Sequence, residues 1–335
     1  MKTEILSTDT PGLFQKAVRR AVELLRAGQV VALPTETVYG LAASALDEKA
    51  VAKIFQIKGR PSHNPLIVHV AGAEMARACV GEWPGSAEKF ARAFWPGPLT
   101  LVLPRAKKIP AGVTAGGDTV GVRWPAHPFM QAVIRECGFP LAAPSANLSN
   151  QVSPTNAGHV RQHLDGKIPL IVDGGQSQVG IESTVLDLTV SPPRILRPGM
   201  IHLESLAAAG GKVAGTEWPV TGKSPLRSPG LLRKHYSPRA KLLVLKWNDD
   251  TELNNLVTRH SSLAACFIVA HTKIPAGPGL ANVSVIPHDA EAFARALYAE
   301  LHRCDLAGAE LIIVEAPPDL PAWSGIADRL RRAAA

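Results

Sequence analysis

Four fixed cations, Lys58, Arg60, Arg123 and Arg197, lie in a series of short blocks, each of which brings hydroxyl, amide or cationic side chains. The blocks read PTETVYGLA from Pro34, KGRPSHNPLIVHV from Lys58, VGVRWP from Val120, APSANLS from Ala143, ESTVLD from Glu182 and LRPG from Leu196. Arginine and lysine neutralise phosphate charge while serine and threonine donate hydrogen bonds, so this set suits phosphate recognition. Two prolines in PSHNP fix a loop that presents Ser62, His63 and Asn64 beside Lys58 and Arg60. Arg123 closes V-G-V and precedes Trp124-Pro125, which places it at a strand end facing a loop. Ser145 and Asn147 alternate around Ala146, so an extended segment turns both side chains to one side; Thr35 and Thr37 share that spacing. Each residue also has a plainer role open to it. Lys58 and Arg60 can complement a helix dipole, and the Ser, Thr and Asn residues can close polar turns. Glu182-Ser183-Thr184 can open a strand, and His69 within LIVHV can be a core histidine.

Hydrophobic periodicity supplies the elements that position these blocks. The spacing predicts helices over 10–28, 47–57, 86–95, 127–138 and 156–164, with Pro11 in a first turn, Asp47 as a cap and Gly59 as a stop. It predicts strands over 30–33, 66–70, 99–103, 120–122, 141–143, 170–172, 184–188 and 194–196. Several strands follow one another without a helix between them, which points to an α/β domain on a mixed sheet. Residues 207–238 are rich in Gly, Pro, Ser, Thr and Lys and read as a linker. Beyond it, strands at 241–245, 264–270, 283–286 and 311–315, with helices at 290–306 and 326–335, fit a small three-layer α/β domain. The expected division is 1–206, 207–238 and 239–335.

At 335 residues the chain has room for two ordinary cores. Its formal charge of +8, from 36 basic and 28 acidic residues, favours an anionic partner such as a nucleotide or RNA without requiring one. Cys79, Cys137, Cys266 and Cys304 are far apart, which suits reduced, buried thiols and gives no basis for a metal site. The N-terminus lacks an apolar stretch of signal-peptide length, and a soluble, cytoplasmic protein with no membrane partner is expected. TGKS at Thr221 to Ser224 is not a P-loop, because Glu217 stands where the first glycine belongs and Pro225 blocks the helix start. Neither G-x-G-x-x-G nor G-x-S-x-G is present, so neither a dinucleotide site nor a serine hydrolase is supported.

Taken in order, these blocks resemble the YrdC/Sua5 family along the whole chain. KGRPSHNPL is similar to that family's K-x-R segment, and PSAN to its S-x-N segment. SPGLLRKHYSP, from Ser228 to Pro238, resembles the linker that marks Sua5 proteins, with Leu231-Leu232 at a more polar or methionine-containing stretch. GIADRLRRAA near the C-terminus resembles the end of the Sua5 domain.

The resemblance implies a YrdC-like catalytic domain with a twisted mixed sheet over 1–206, a linker that acts as a lid over 207–238, and a Rossmann-like Sua5 domain over 239–335. It implies synthesis of L-threonylcarbamoyl-AMP and pyrophosphate from L-threonine, bicarbonate or CO2 and ATP, the first step of threonylcarbamoyladenosine formation at position 37 of tRNA. Carried over by position, Lys58, Arg60, Asn64, Thr119, Asn147, Ser153 and Arg197 are expected at ATP, with Lys58 and Arg60 catalytic and Tyr236 a lid over the nucleotide. Thr37, His69, Arg123, Ser145 and Ser183 are expected at threonine or its carbamate, with Arg123 facing the carboxylate. Mg2+ is expected to bridge the phosphates with few protein ligands. Downstream partners are the proteins that transfer the threonylcarbamoyl group to tRNA, with weak direct tRNA contact in addition.

Two other readings compete. YrdC-like modules also occur in hydrogenase-maturation carbamoyl transferases, but the paired-cysteine segments of those proteins are missing here. A non-catalytic RNA-binding protein draws on the +8 charge and on Arg329, Arg331 and Arg332 near the C-terminus. Only 5% of residues are aromatic, which leaves little for base stacking.

Overall fold

The computed structural model describes residues 2–216, 226–231, 234–258, 265–277, 280 and 282–335. The TGKS stretch and Leu232 of the linker lie outside the described residues. The chain divides into two compact units, one of Met1–Ser149 with Ser153–Leu231 and the other of Asn150–Val152 with Leu232–Ala335.

In the first unit ten strands among the described residues form one sheet. They are β1 (Glu4–Ser7), β2 (Val31–Leu33), β3 (Gly40–Ser44), β4 (Ile67–His69), β5 (Leu99–Pro104), β6 (Thr119–Arg123), β7 (Leu141–Ala142), β8 (Leu170–Asp173), β9 (Thr184–Asp187) and β10 (Arg194–Arg197). Their order is β1-β8-β2-β3-β7-β4-β6-β5-β9-β10. Parallel pairs such as β4 with β6 alternate with antiparallel pairs such as β2 with β3, so the sheet is mixed as expected. The helices are α1 (Pro11–Arg26), α2 (Glu48–Lys58), α3 (Ala73–Cys79), α4 (Gly85–Phe94), α5 (Pro128–Cys137), α6 (Ala157–Leu164) and α7 (Leu203–Gly210).

Side chains alternate across the sheet and bury both of its faces. Val31, Leu33, Leu170 and Val172 join a core with Val18 and Leu25 of α1 and Phe129 and Val133 of α5. Their neighbours Ala32 and Ile171 point the other way, into a core with Ile54 of α2, Phe90 of α4 and Val160 of α6. Burial on both faces explains why β3, reading GLAAS, shows no alternation and escaped detection from the sequence. β1, α3 and α7 were likewise not foreseen. The last of these runs four residues past the expected linker start at 207, to Gly210.

The second unit carries β11 (Lys241–Leu245), β12 (Cys266–Ala270), β13 (Val283–Val285) and β14 (Leu311–Glu315) in the order β11-β14-β12-β13, all parallel. With them are α8 (Asp250–Thr258), which the sequence did not reveal, α9 (Ala290–Leu306) and α10 (Ser324–Ala333). Trp247, Leu253, Ile268 and Ile313 form its core. The cationic residues of α10 correct one expectation. Arg329 and Arg332 are buried and pair with buried Asp328 at 2.9 and 3.0 Å, so they present no basic surface to RNA; Arg331 also pairs with Asp328. All four cysteines are free and buried, and burial pushes Cys79, Cys137 and Cys266 up to about 11. Among the described residues no helix is long and apolar enough to cross a membrane.

Candidate active site

The site begins with the turn between β2 and β3. Pro34 ends β2, and residues 34–39 are all buried. Thr35 Oγ1 donates to the Val38 carbonyl, accepts the Thr37 and Val38 N–H groups, and lies 3.0 Å from Thr37 Oγ1. That local bonding fixes where Thr37 points. Arg123 reaches this turn from the C-terminal end of β6. Its Nη1 donates to Thr37 Oγ1 (2.9 Å), its Nε to the Gly97 carbonyl (3.2 Å), and its Nη2 lies 2.7 Å from Glu36 Oε1. Glu36 also accepts the Ala126 N–H. Burial pushes the Glu36 carboxyl up, but Arg123 and that N–H outweigh it and hold the group below its usual range. His69 is the register partner of Arg123 on the parallel neighbour β4. Burial, reinforced by Arg123, brings its imidazole down to about 3, so it is neutral at neutral pH, and its Nδ1 has no hydrogen-bond partner among the described residues.

A second group centres on Lys58, in the last turn of α2. Asp47 caps this helix by accepting the Lys49 and Ala50 N–H groups, and Gly59 stops it at φ 59°. The Lys58 ammonium turns away from solvent and donates to the Ser145 and Asn147 carbonyls, so helix-dipole compensation is not its only role. Burial, with the Arg60 charge added, drives its pKa well below the usual lysine range, while Glu182 pulls the other way. The segment after β7 takes the polar turn that its Ser and Asn residues left open, not the extended form. Ser145 bridges Gly40 and is part-exposed, and residues 146–148 bend so that buried Asn147 donates to the Leu148 carbonyl. The two side chains therefore do not alternate on one strand, because the short amide bonds its own backbone.

The ESTVLD and LRPG blocks meet where β9 and β10 pair. Arg197 Nε and Nη2 donate to the Ser183 carbonyl at 3.1 and 3.0 Å, and Nη2 to Ser183 Oγ at 3.2 Å. Ser183 Oγ lies 2.8 Å from Thr100 Oγ1. Ser153 donates to Glu182 Oε1 at 2.6 Å. Backbone bonds join the three groups. Ala146 N–H donates to the Tyr39 carbonyl beside the Thr37 turn, and Thr184 N–H donates to the Pro98 carbonyl next to the Gly97 that holds Arg123.

The remaining expected positions are held by contacts of their own. Arg60 donates to the Asn64 and Pro65 carbonyls and to Asn64 Oδ1 (2.7 Å), pinning the PSHNP loop while Ser62 and His63 stay exposed. The loop leads into β4, and Thr119 opens β6 about 13 Å along the strand from Arg123. Tyr236 belongs to the second unit, where its ring stacks on Tyr298 and lies under Arg329. Sequence reasoning left out two residues that the site uses, Glu36 and Glu182. Each sat inside a quoted block, and the signal was an acid directly beside the hydroxyls for which that block was singled out.

The surroundings suit a bound anion: buried cations, hydroxyls on fixed backbone, and carboxylates already engaged by Arg123, Ala126 and Ser153. Residues 23–199 match a family model described as telomere recombination (Sua5, YciO, YrdC), and 201–335 match one described as threonylcarbamoyl-AMP synthase, C-terminal domain. The chain is 41% identical over 322 residues to the threonylcarbamoyl-AMP synthase of Pyrococcus abyssi, covering 94% of this chain and 93% of that one. It is 41% identical over 336 residues to the Bacillus subtilis protein of the same name, covering 99% and 95%. The structure of P. abyssi Sua5 complexed with L-threonine superposes with a TM-score of 0.91 at 39% identity, over 99% of this chain and 98% of that one. The chain belongs to the Sua5/YrdC family, with both its YrdC-type and its Sua5 C-terminal parts.

Proposed function

We infer that this protein is a threonylcarbamoyl-AMP synthase. The observation that carries the reading is the end-to-end match to synthases of that name, and the site's geometry supports it. In the reaction the threonine amine takes up CO2 or bicarbonate as an N-carboxylate. One oxygen of that carboxylate attacks the α-phosphorus of ATP, the bond to the β,γ-diphosphate breaks, and pyrophosphate leaves. With bicarbonate, one water is also released. The protein need form no covalent bond to either reactant; holding them in line, dry and charge-matched supplies the acceleration.

The residue roles are proposals built on the contacts above. Arg123, held by Glu36, Thr37 and Gly97, is placed to present its remaining N–H groups to a carboxylate, with Thr37, neutral His69, Ser145 and Ser183 around the amino acid. Lys58 and Arg197 are the cations for phosphate, with Asn147, Ser153, Arg60, Asn64, Thr119 and Tyr236 completing the nucleotide set. An arriving triphosphate favours the charged form of Lys58 that burial now opposes. Among the described residues no three His, Cys, Asp or Glu side chains gather to hold a metal, so Mg2+ is proposed to arrive on ATP with phosphate oxygens and water as its ligands. The product would pass to the proteins that modify tRNA, in the cytoplasm.

The test is pyrophosphate release from ATP with threonine and bicarbonate omitted in turn, with mass spectrometry of the quenched mixture. Release that needs both, with a threonylcarbamoyl-AMP mass, is expected. Release without threonine would overturn the reading.

A further inference from the structure

The second unit holds a cleft that the synthase reaction does not use. Its four strands are all parallel, so every strand ends at one edge of the sheet, and loops gathered at such an edge form ligand sites. There they enclose a cavity of about 240 Å3. Lys246 and Trp247 follow β11, His271 to Lys273 follow β12, His288 follows β13, and Ala316 follows β14.

The lining is fixed before any ligand arrives. Buried Glu315, the last residue of β14, accepts the N–H groups of His271 (2.7 Å) and Thr272 (2.8 Å), those of Lys273 at 3.3 Å, and the Thr272 hydroxyl. Its negative charge is thereby spent on holding the β12 loop. Trp247 Nε1 donates to the Lys273 carbonyl, tying the β11 loop to the same frame. His271 Nε2 faces the Ala316 carbonyl at 3.3 Å, and a carbonyl only accepts, so this nitrogen carries a proton. His271 Nδ1 lies 2.8 Å from His288 Nδ1, so one proton sits between the two rings. His288 is clamped further by stacking on His271 and on Trp323. Its Nε2 belongs to an exposed ring, and exposed Lys246 and Lys273 flank it.

We propose that this cleft binds a small phosphate-bearing anion, with Lys246, Lys273 and, carrying a proton taken up with the anion, His288 Nε2 as donors on a frame set by Glu315. A carboxylate engaged by three backbone N–H groups and the Thr272 hydroxyl leaves two lysines and the exposed His288 ring facing the opening, which is an anion's complement. The volume suits a phosphate or diphosphate group better than a whole dinucleotide.

The experiment titrates the full chain with inorganic phosphate, pyrophosphate, AMP and ATP in separate arms, following the His271 and His288 imidazole signals by NMR at fixed pH. Saturable shifts of both signals with at least one probe are expected; which probe is tightest tells a free phosphate from a nucleotide's phosphate tail. Lys246→Gln/Lys273→Gln, both exposed, is expected to weaken that binding at least tenfold, and His288→Gln comparably, with pyrophosphate release by the first unit unchanged. Silent imidazole signals in every arm at millimolar probe would overturn the proposal. So would shifts of the same affinity in the double lysine variant.

Discussion

Arg123 illustrates how a charged side chain earns its place in a core. Its guanidinium is buried, and Glu36, Thr37 and the Gly97 carbonyl fix its orientation, while Nη2 makes the ion pair to Glu36 without a hydrogen bond among the described residues. Glu36 is thus a positioning residue, and Glu36→Gln should remove one charge-assisted contact, worth about 1.5–3 kcal/mol. Steady-state kinetics should show threonine KM rising roughly ten- to a hundredfold while ATP KM changes less than about threefold. Equal rises in both would argue that Glu36 only supports the fold. His69 gives a pH prediction. Its native value of about 3 lies below the ordinary 6.5, so the unfolded chain takes up a proton first as pH falls. Stability present above pH 6.5 is therefore lost between about 6.5 and 3, by about 1.4 kcal/mol per unit. Half-buried His127 and buried His159 act with the same sign. Denaturant midpoints at pH 7, 6 and 5 should fall steadily, and His69→Gln should flatten that slope by its share.

At the level of elements, the close approach of the chain after β10 to the start of β9 depends on Gly199, the last residue of the block LRPG. A Cβ there would lie 2.5 Å from Thr184 N and 2.9 Å from the Glu182 carbonyl, both backbone atoms with no room to yield. Gly199→Ala should destabilise by about 1–3 kcal/mol and shift Ser183 and Arg197 together. A lowered unfolding midpoint with ATP KM raised severalfold is the expected pair of results; full ATP affinity would show that the two strands tolerate the shift. Helix α2 was legible because Asp47 and Gly59 mark its ends by local chemistry. The aim of Lys58 was not, since its partners are carbonyls 87 and 89 residues away.

For the whole molecule, the chain from Tyr236 onward is built into the second unit. Tyr236 is buried, stacked 6.0 Å from Tyr298, with the Arg329 guanidinium 5.1 Å from its ring, and Ser237 N–H donates to the Asn150 carbonyl. Removing that ring should cost the second unit about 3–5 kcal/mol. Tyr236→Ala should therefore expose residues beyond 232 to limited proteolysis, while Tyr236→Phe should not. Should Tyr236→Ala stay as resistant as the parent, the ring carries no packing role.

What the sequence by itself determined was local. Caps, stops, alternating strands and the cationic blocks are written in neighbouring residues, and together they identify the mixed α/β unit, the parallel second unit and the family. The tertiary structure decided which groups face which. It set Glu36 against Arg123, Glu182 against Ser153, and the basic residues of α10 against Asp328 in place of a nucleic acid. It also bent residues 146–148, choosing between the extended segment and the polar turn that the sequence left open. The first two pairings join residues far apart in the chain, the third lies within one helix, and burial gives the enclosed ones their strength. Desolvation makes an unmatched charge costly, and only the folded core determines which partner is within reach.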